Sequence, residues 1–252
     1  MKVAVCVKQI PDPAADYSLD PASHTLVRPN EQVLDDTDRY GVEVALQIAE
    51  ANEGSVTLVS MGPSGNLQGV RQALAMGADK AVLVDDEALK GADSLTTARI
   101  LAAAIAREGF DLVIAGTEST DGYAGVVPQQ VAELLGVPAL TYAMEVGVEG
   151  DMVKIKRQTA AGYDEVEAST PALVSVTAGV VEPRYPTFKG IMQAKSKPVD
   201  ELTAADLGVD VAVGQQVVEV ADAPARAAGE KVEDDGEAFG RIIAKLEEVK
   251  VI

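Results

Sequence analysis

Ten consecutive residues, Gly116-Thr117-Glu118-Ser119-Thr120-Asp121-Gly122-Tyr123-Ala124-Gly125, carry the densest set of groups able to hold a phosphate. Glycines let backbone N–H groups approach an anion, and the Ser119 and Thr120 hydroxyls can donate to its oxygens. A helix expected just beyond adds partial positive charge at its N-terminus. The run has no Walker lysine and is not a Rossmann fingerprint. A second group, Asp35-Asp36-Thr37-Asp38, precedes another expected helix; capping and dipole complementarity account for its acids, and backbone contact to an adenine or ribose is the functional alternative. The single cysteine, Cys6, lies in a β-branched run and reads as a buried thiol; the single histidine, His24, reads as structural. One histidine excludes a histidine-based metal site. Glu182 to Lys195 gathers Arg184, Tyr185, Phe188 and Lys189 between and after two prolines. Exposed aromatic and Arg side chains are common interface anchors, although Phe188, Ile191 and Met192 could equally pack inward.

The elements that must position these groups follow from apolar periodicity. Short apolar runs at Lys2–Val7, Val56–Val59, Ala81–Val84, Leu112–Ala115 and Ala139–Tyr142 predict strands. Helix-period segments lie between them. One is capped by Asp35 or Asp36 and carries Val42, Ala45, Leu46 and Ala49. A second starts at Ser64, a third is capped by Ser94, and a fourth spans about Gln129–Leu135. Such alternation predicts an α/β fold, a parallel sheet with helices on both faces. Ligands of these sheets bind at the carboxyl ends of strands, which points to the loops after Lys2–Val7, Val56–Val59 and Leu112–Ala115. Beyond Tyr142, the runs Met144–Val148, Met152–Arg157, Tyr163–Glu167 and Leu173–Val176 predict an antiparallel extension. A short helix, a possible strand at Val211–Val220 and a final helix near Phe239–Leu246 complete the chain. Residues 1–190 are expected to form the nucleotide-binding domain and 191–252 a C-terminal arm. The arm has too little apolar surface to stand alone; it either lies on a core or stays disordered.

Composition narrows the function classes. The 252 residues are 47% hydrophobic but only 4% aromatic, so Val, Leu, Ile and Ala must build the core. A net charge of −19 argues against nucleic acid and anionic membranes as partners. With no intrachain disulfide possible, no signal-peptide core at Met1 and no apolar run near the ~20 residues of a membrane helix, a cytoplasmic location is expected.

The Glu182-Pro183-Arg184-Tyr185 run, followed by Ile191-Met192-Gln193-Ala194-Lys195, resembles the recognition region of electron-transfer flavoprotein beta subunits. Val5-Cys6-Val7-Lys8-Gln9, Ala73 to Asp79 and Asp206-Leu207-Gly208-Val209 resemble the same family, in order, over almost the whole chain. The resemblance implies a non-enzymatic electron carrier, a heterodimer with a larger alpha subunit that holds most of the FAD, and an AMP in this chain. It implies docking of acyl-CoA or other primary dehydrogenases, as in fatty acid oxidation, onward transfer to a membrane quinone oxidoreductase, and an arm that wraps the alpha subunit. Carried over by position, nucleotide contacts fall on Cys6, on Asp35, Asp36, Thr37 and Asp38, on Met61, and on Gly116, Thr117, Glu118, Ser119, Thr120, Asp121, Gly122, Tyr123, Ala124, Gly125, Val126 and Val127. Docking falls on Arg184, Tyr185, Phe188 and Lys189, with Phe188 where the family more often has Leu. Ala160 and Ala161 replace the family's acidic residue and Gly, and Gly125, Val126 and Val127 replace the Asn, Gln and Thr of some members. Two alternatives stay open: a second FAD in place of AMP, in an electron-bifurcating complex, and a free-standing ATP-binding protein with Asp121 or Glu118 as metal carboxylate.

Overall fold

The computed structural model describes residues 1–62, 67–221, 224–225 and 228–252. Its first compact unit, Met1–Val217, is built on a nine-stranded sheet. The first strand, β1 (Lys2–Cys6), is followed by a small antiparallel pair, β2 (Gln9–Ile10) and β3 (Val33–Leu34), then by α1 (Asp36–Ala51). Next come β4 (Ser55–Met61), α2 (Gln68–Met76), β5 (Lys80–Val84), α3 (Ser94–Glu108), β6 (Leu112–Gly116) and α4 (Val127–Leu135). Three long antiparallel strands follow, β7 (Ala139–Glu149), β8 (Met152–Thr159) and β9 (Gly162–Ser169), before β10 (Ala172–Val176), α5 (Phe188–Ala194) and β11 (Val199–Leu202).

The order across the sheet is β11-β5-β4-β1-β6-β10-β7-β8-β9. β1 pairs in parallel with β4 on one side and β6 on the other, so Val5 lies opposite both Leu58 and Ile114. Alternation along β1 feeds two cores. Val3 and Val5 join the core with Val42, Ala45 and Leu74 of α1 and α2, and Ala4 joins the one with Ala98, Leu101 and Ile105 of α3. The parallel sheet with helices on both faces and its antiparallel extension are as the sequence predicts.

Several details differ. Leu173–Val176 is an interior parallel strand between β6 and β7, not part of the antiparallel extension. The five residues of β10 are all buried, which suits a central position. Ala139–Tyr142 and Met144–Val148 are one continuous strand, β7, parallel to β10 on one edge and antiparallel to β8 on the other. Register shifts at Val174–Val176 and Ala143–Glu145, with Tyr142 at φ +58°, accommodate the change. Val211–Val220 forms no strand; the edge strand is β11, which pairs with β5 through Val199 to Leu202. Asp93, not Ser94, caps α3, accepting from the Thr96 amide at 2.8 Å. Ser64, expected to open α2, lies outside the described residues. Beyond residue 190 the first unit continues, with α5 packed on α2 and β11 completing the sheet.

Among its described residues the second unit, Val218–Ile252, carries one helix, α6 (Ala238–Glu248). Its Phe239 and Ile242 are exposed, and Arg241 pairs with Asp235 at 2.8 Å.

Candidate functional site

The direction of chain progression reverses between β1 and β6. From β1 the chain runs outward through β4 and β5, then returns to place β6 on the other side. At such a switch point the loops beyond adjacent strands part and leave a crevice. The chain beyond β1, the start of α1 and the loop beyond β6 meet there.

Asp35 organises the junction. It is fully buried and caps α1: its Oδ1 accepts from the Thr37 amide at 3.0 Å and hydroxyl at 2.9 Å. Its Oδ2 reaches the loop beyond β6, accepting from the Thr120 amide at 2.7 Å and hydroxyl at 3.0 Å. Thr37 adds a bond from its hydroxyl to the Glu118 carbonyl, 3.2 Å. Asp38, one turn into α1, accepts from the Lys8 amide at 2.6 Å. Burial, reinforced by the charge of Asp35, holds the Asp38 carboxyl well above the usual carboxylate range. Gly116 makes the close packing possible: a Cβ there would lie 3.1 Å from Asp38 Oδ1 and 3.3 Å from Thr37 Oγ1. Thr117 turns away and donates to the Val176 carbonyl at 3.0 Å.

Asp121 lies at the centre of a second cluster, with no exposed side-chain surface. Its Oδ1 takes Lys8 Nζ at 2.7 Å and its Oδ2 pairs with Arg28. Burial alone would raise this carboxyl, but Lys8 and Arg28 bring it below its ordinary value. Lys8 also donates to Ser119 Oγ at 3.2 Å, and Arg28 to Gln32 Oε1 at 3.3 Å. Two cations thus converge on one carboxylate, with the Asp35 carboxylate on the neighbouring Thr120. The segment carrying Arg28 crosses the loop, and Pro13, Ala15 and Tyr17 from it join Thr120 and Tyr123 around an open pocket of about 200 Å³. Tyr123, at φ +48°, and Gly125, at φ +64°, bend the chain into α4. Its cap residue, Val126, supplies no side-chain bond, and Pro128 lies in the first turn. Gln129 donates to the Gly125 carbonyl at 3.3 Å, while its Oε1 is buried with no hydrogen-bond partner among the described residues.

The remaining expected positions divide. Cys6, partly exposed, ends β1 beside Asp38; desolvation by its surroundings first, then that carboxylate, pushes its thiol up to about 12. Met61 ends β4, paired with Val84 across the sheet. Asp36 points to solvent and pairs with Arg39 at 2.9 Å on the surface. Gly122 lies against Ser119 within the loop, where a Cβ would meet its Oγ at 3.0 Å. Ala124 is exposed, and Val127 packs on the α3 face. Lys8 and Arg28 were not anticipated. Lys8 had a signal, as the first cation beyond β1; Arg28, in a long loop, had none. Asp121, expected as a possible metal carboxylate, is engaged by both cations. Among the described residues no cluster of His, Cys, Asp and Glu could hold a metal ion. No helix among them is long and apolar enough to cross a membrane.

The four candidate docking residues also divide. Tyr185 and Phe188 are 88% and 82% exposed, with Ile191 and Met192 about half exposed beside them. Phe188 therefore does not pack into the core. Lys189 is exposed and has no ion-pair partner among the described residues. Arg184 folds back onto α1: its Nε meets Glu43 Oε2 at 2.7 Å and its Nη1 meets Glu50 Oε1 at 2.5 Å. Thr187 caps α5 by accepting the Gly190 amide at 3.0 Å.

The family model described as "Electron transfer flavoprotein domain" matches residues 24–207. An electron transfer flavoprotein subunit beta from Mycobacterium tuberculosis is 42% identical over 263 residues, covering 99% of each chain. One from Megasphaera elsdenii is 37% identical over 273 residues, covering each chain completely. The subunit CarD of a caffeyl-CoA reductase-Etf complex from Acetobacterium woodii is 33% identical over 263 residues, again over both full lengths.

Proposed function

The chain belongs to the electron transfer flavoprotein family, among its beta subunits, and from this premise we propose that it is the nucleotide-holding, docking half of a two-chain cytoplasmic electron carrier rather than an enzyme. Its partner is an alpha subunit that holds most of the FAD. It accepts electrons from acyl-CoA or other primary dehydrogenases, as in fatty acid oxidation, and hands them on to a quinone oxidoreductase. An AMP in this chain has a structural role. The observation that carries the nucleotide reading is the convergence of Asp35, Thr37, Asp38 and the 116–127 loop at the switch point between β1 and β6.

The residues present fit an anionic nucleotide. The N-terminus of α4 lacks a side-chain cap, so its backbone amides can donate to phosphate oxygens; Gln129 Oε1 is a buried acceptor with no partner among the described residues, suited to a ribose hydroxyl or an adenine amine; and Lys8 and Arg28 stand at the loop, paired with Asp121. Hydroxyls of Ser119 and Thr120 stand in the loop itself, and Cys6, Met61 and Val126 offer apolar surface nearby. Asp35 and Thr37 tie that loop to α1, and Tyr17 with Pro13 and Ala15 forms one wall of the open pocket. The flavin, when bound, supplies the redox chemistry, and the protein supplies position and environment. Tyr185, Phe188, Ile191 and Met192 form the apolar surface for a dehydrogenase, and residues 191–252 include the arm for the alpha subunit.

A second reading has one observation in its favour, the full-length similarity to the CarD subunit. On that reading the same loops hold a second FAD, and electron pairs from NADH are divided between two acceptors. Acid release and chromatography of the heterodimer purified with its co-expressed alpha subunit separates the two. One FAD and one AMP per heterodimer is the expected result; two FAD and no AMP would transfer the assignment to the second reading.

A further inference from the structure

The segment that presents Tyr185 and Phe188 is pinned at both ends by arginines that do not face the docking side. At its start, Arg184 lies along α1. Its Nε and Nη2 donate to Glu43 at 2.7 and 3.1 Å, its Nη1 and Nη2 to Glu50 at 2.5 and 3.1 Å, and its amide to Glu43 Oε2 at 3.2 Å. Glu43 and Glu50 are seven positions apart, two helical turns, so they share one face of α1 and grip the guanidinium from both sides. Glu43 is nearly buried, and hydrogen bonds from Arg184 and Gln47, with Arg184's charge, bring its carboxyl below its ordinary value against the upward pull of burial. Two carboxylates on one guanidinium leave no net positive charge there to attract an acidic partner. Pro183 and Pro186 restrict the backbone on either side.

At the far end, Arg71 of α2 donates from Nη1 to the Ala194 carbonyl at 2.6 Å and the Lys197 carbonyl at 2.9 Å. Lys197 reciprocates: its Nζ reaches the Leu74, Gly77 and Ala78 carbonyls at 3.0, 3.1 and 2.6 Å, closing the C-terminal end of α2. Between the pins, Gly190 brings the two backbones together, since a Cβ there would lie 2.5 Å from the Ala75 carbonyl oxygen. A seven-residue helix does not hold its shape alone in water. Here it is held from outside while its apolar face stays bare.

We propose that Arg184 and Arg71 are positioning residues for partner docking, which fix the backbone of 184–197 so that Phe188 and Tyr185 are pre-set for an apolar pocket on the dehydrogenase. The inference rests on the docking reading above. It reassigns Arg184 from contact to mount, and it adds Arg71, which lies over a hundred positions away in sequence. Pre-setting lowers the ordering cost of association. Loss of a pin therefore weakens encounter with the dehydrogenase and leaves the step after docking unchanged.

The test is steady-state reduction of the intact heterodimer by an acyl-CoA dehydrogenase, with carrier concentration varied. Wild type is compared with Phe188→Ala, Arg184→Gln, Arg184→Lys, Arg71→Gln and the Arg184→Gln/Phe188→Ala double variant. Flavin and nucleotide content and the thermal midpoint are recorded for each. Arg184→Gln and Arg71→Gln are expected to raise KM by about 3–10-fold, the equivalent of one or two side chains' ordering cost, with kcat within about twofold. Arg184→Lys, which keeps the charge but not the fork, should recover part of the loss. In the Phe188→Ala background, Arg184→Gln should add little, because it acts through that side chain. If Phe188→Ala raises KM and neither arginine variant does, the positioning role is wrong and docking stands. If Phe188→Ala has no effect, both fall. Full additivity in the double variant would overturn the mount and make Arg184 an independent contact. Should Arg184→Gln lose its cofactors or fail to fold, Arg71→Gln alone decides by the same KM criterion.

Discussion

The buried carboxylate of Asp35 accepts from both the amide and the hydroxyl of Thr120, at 2.7 and 3.0 Å, across 85 positions of sequence. One side chain thus caps α1 and fastens the loop beyond β6 to it. Replacing it removes the cap and takes this acceptor from the partly buried Thr37 amide and from the Thr120 amide and hydroxyl, while the Thr37 hydroxyl keeps the Glu118 carbonyl. Asp35→Ala is expected to cost about 2–4 kcal/mol, combining a lost N-cap with lost hydrogen bonds to a charged acceptor. Urea unfolding measures it, and nucleotide content of the purified heterodimer should fall in parallel. Unchanged stability would mean that the loop is held by other groups.

Asp38 behaves in the opposite sense. Burial first, then Asp35, raises its carboxyl in the folded state. The folded protein therefore binds that proton more tightly than the unfolded chain, and stability falls as pH rises from the unfolded value, ~3.9, through the raised folded one. At neutral pH this buried carboxyl is therefore a cost to stability relative to acid. Asp38→Asn keeps an oxygen for the Lys8 amide and removes the charge. It should raise the urea midpoint at pH 7, with the gain shrinking as the pH approaches ~4. A loss of stability at pH 7 would contradict this account.

Cys6 is expected to be chemically quiet. A thiol pushed up to about 12 is ionised at pH 8 to roughly 1 part in 10⁴, and since the thiolate is the nucleophile, alkylation by iodoacetamide should run on the order of 10³-fold slower than for a free cysteine with pKa ~8.5. Mass spectrometry of the native and urea-unfolded heterodimer reads this directly. Rapid labelling in the native state would mean that the partial exposure of this side chain, and not its raised thiol, governs its reactivity.

Gly190→Ala places a methyl group where the Ala75 carbonyl oxygen stands 2.5 Å away. Both groups are held by helical backbone, so neither yields easily. A loss of about 1–3 kcal/mol is expected, as for other overpacked sites, again by urea unfolding. Gly147→Ala, in β7 with open space around its Cβ position, is the control and should change stability far less.

Much of the scaffold was legible in residue order. Apolar runs with Asp- or Gly-marked boundaries located β1, β4, β5 and β6 and the helices between them. The strand-end rule then directed attention to the loops that meet at Asp35 and Thr120. Leu173–Val176 shows where such reading stops. Its apolar run announces a buried strand equally well in a parallel or an antiparallel setting, and insertion between β6 and β7 depends on which strands leave an edge open. Continuity of β7 through Tyr142 was hidden because a bulge interrupts the alternation that marks a strand. β11, with two acidic residues in four, carries little apolar signal because it forms the sheet's edge.

The sequence by itself determined the fold class, the family and the short list of loops worth searching, since these depend on local periodicity, capping and ordered motifs. Only the tertiary structure decided what each charge does. Asp121 reads as a nucleotide contact or a metal carboxylate until Lys8 and Arg28 close on it, and Arg184 reads as a docking cation until Glu43 and Glu50 take it. The physical reason is distance. A side chain's charge, burial and freedom are set by neighbours 90 to 140 positions away along the chain, and those neighbours are chosen by how sheets and helices pack rather than by anything adjacent in sequence.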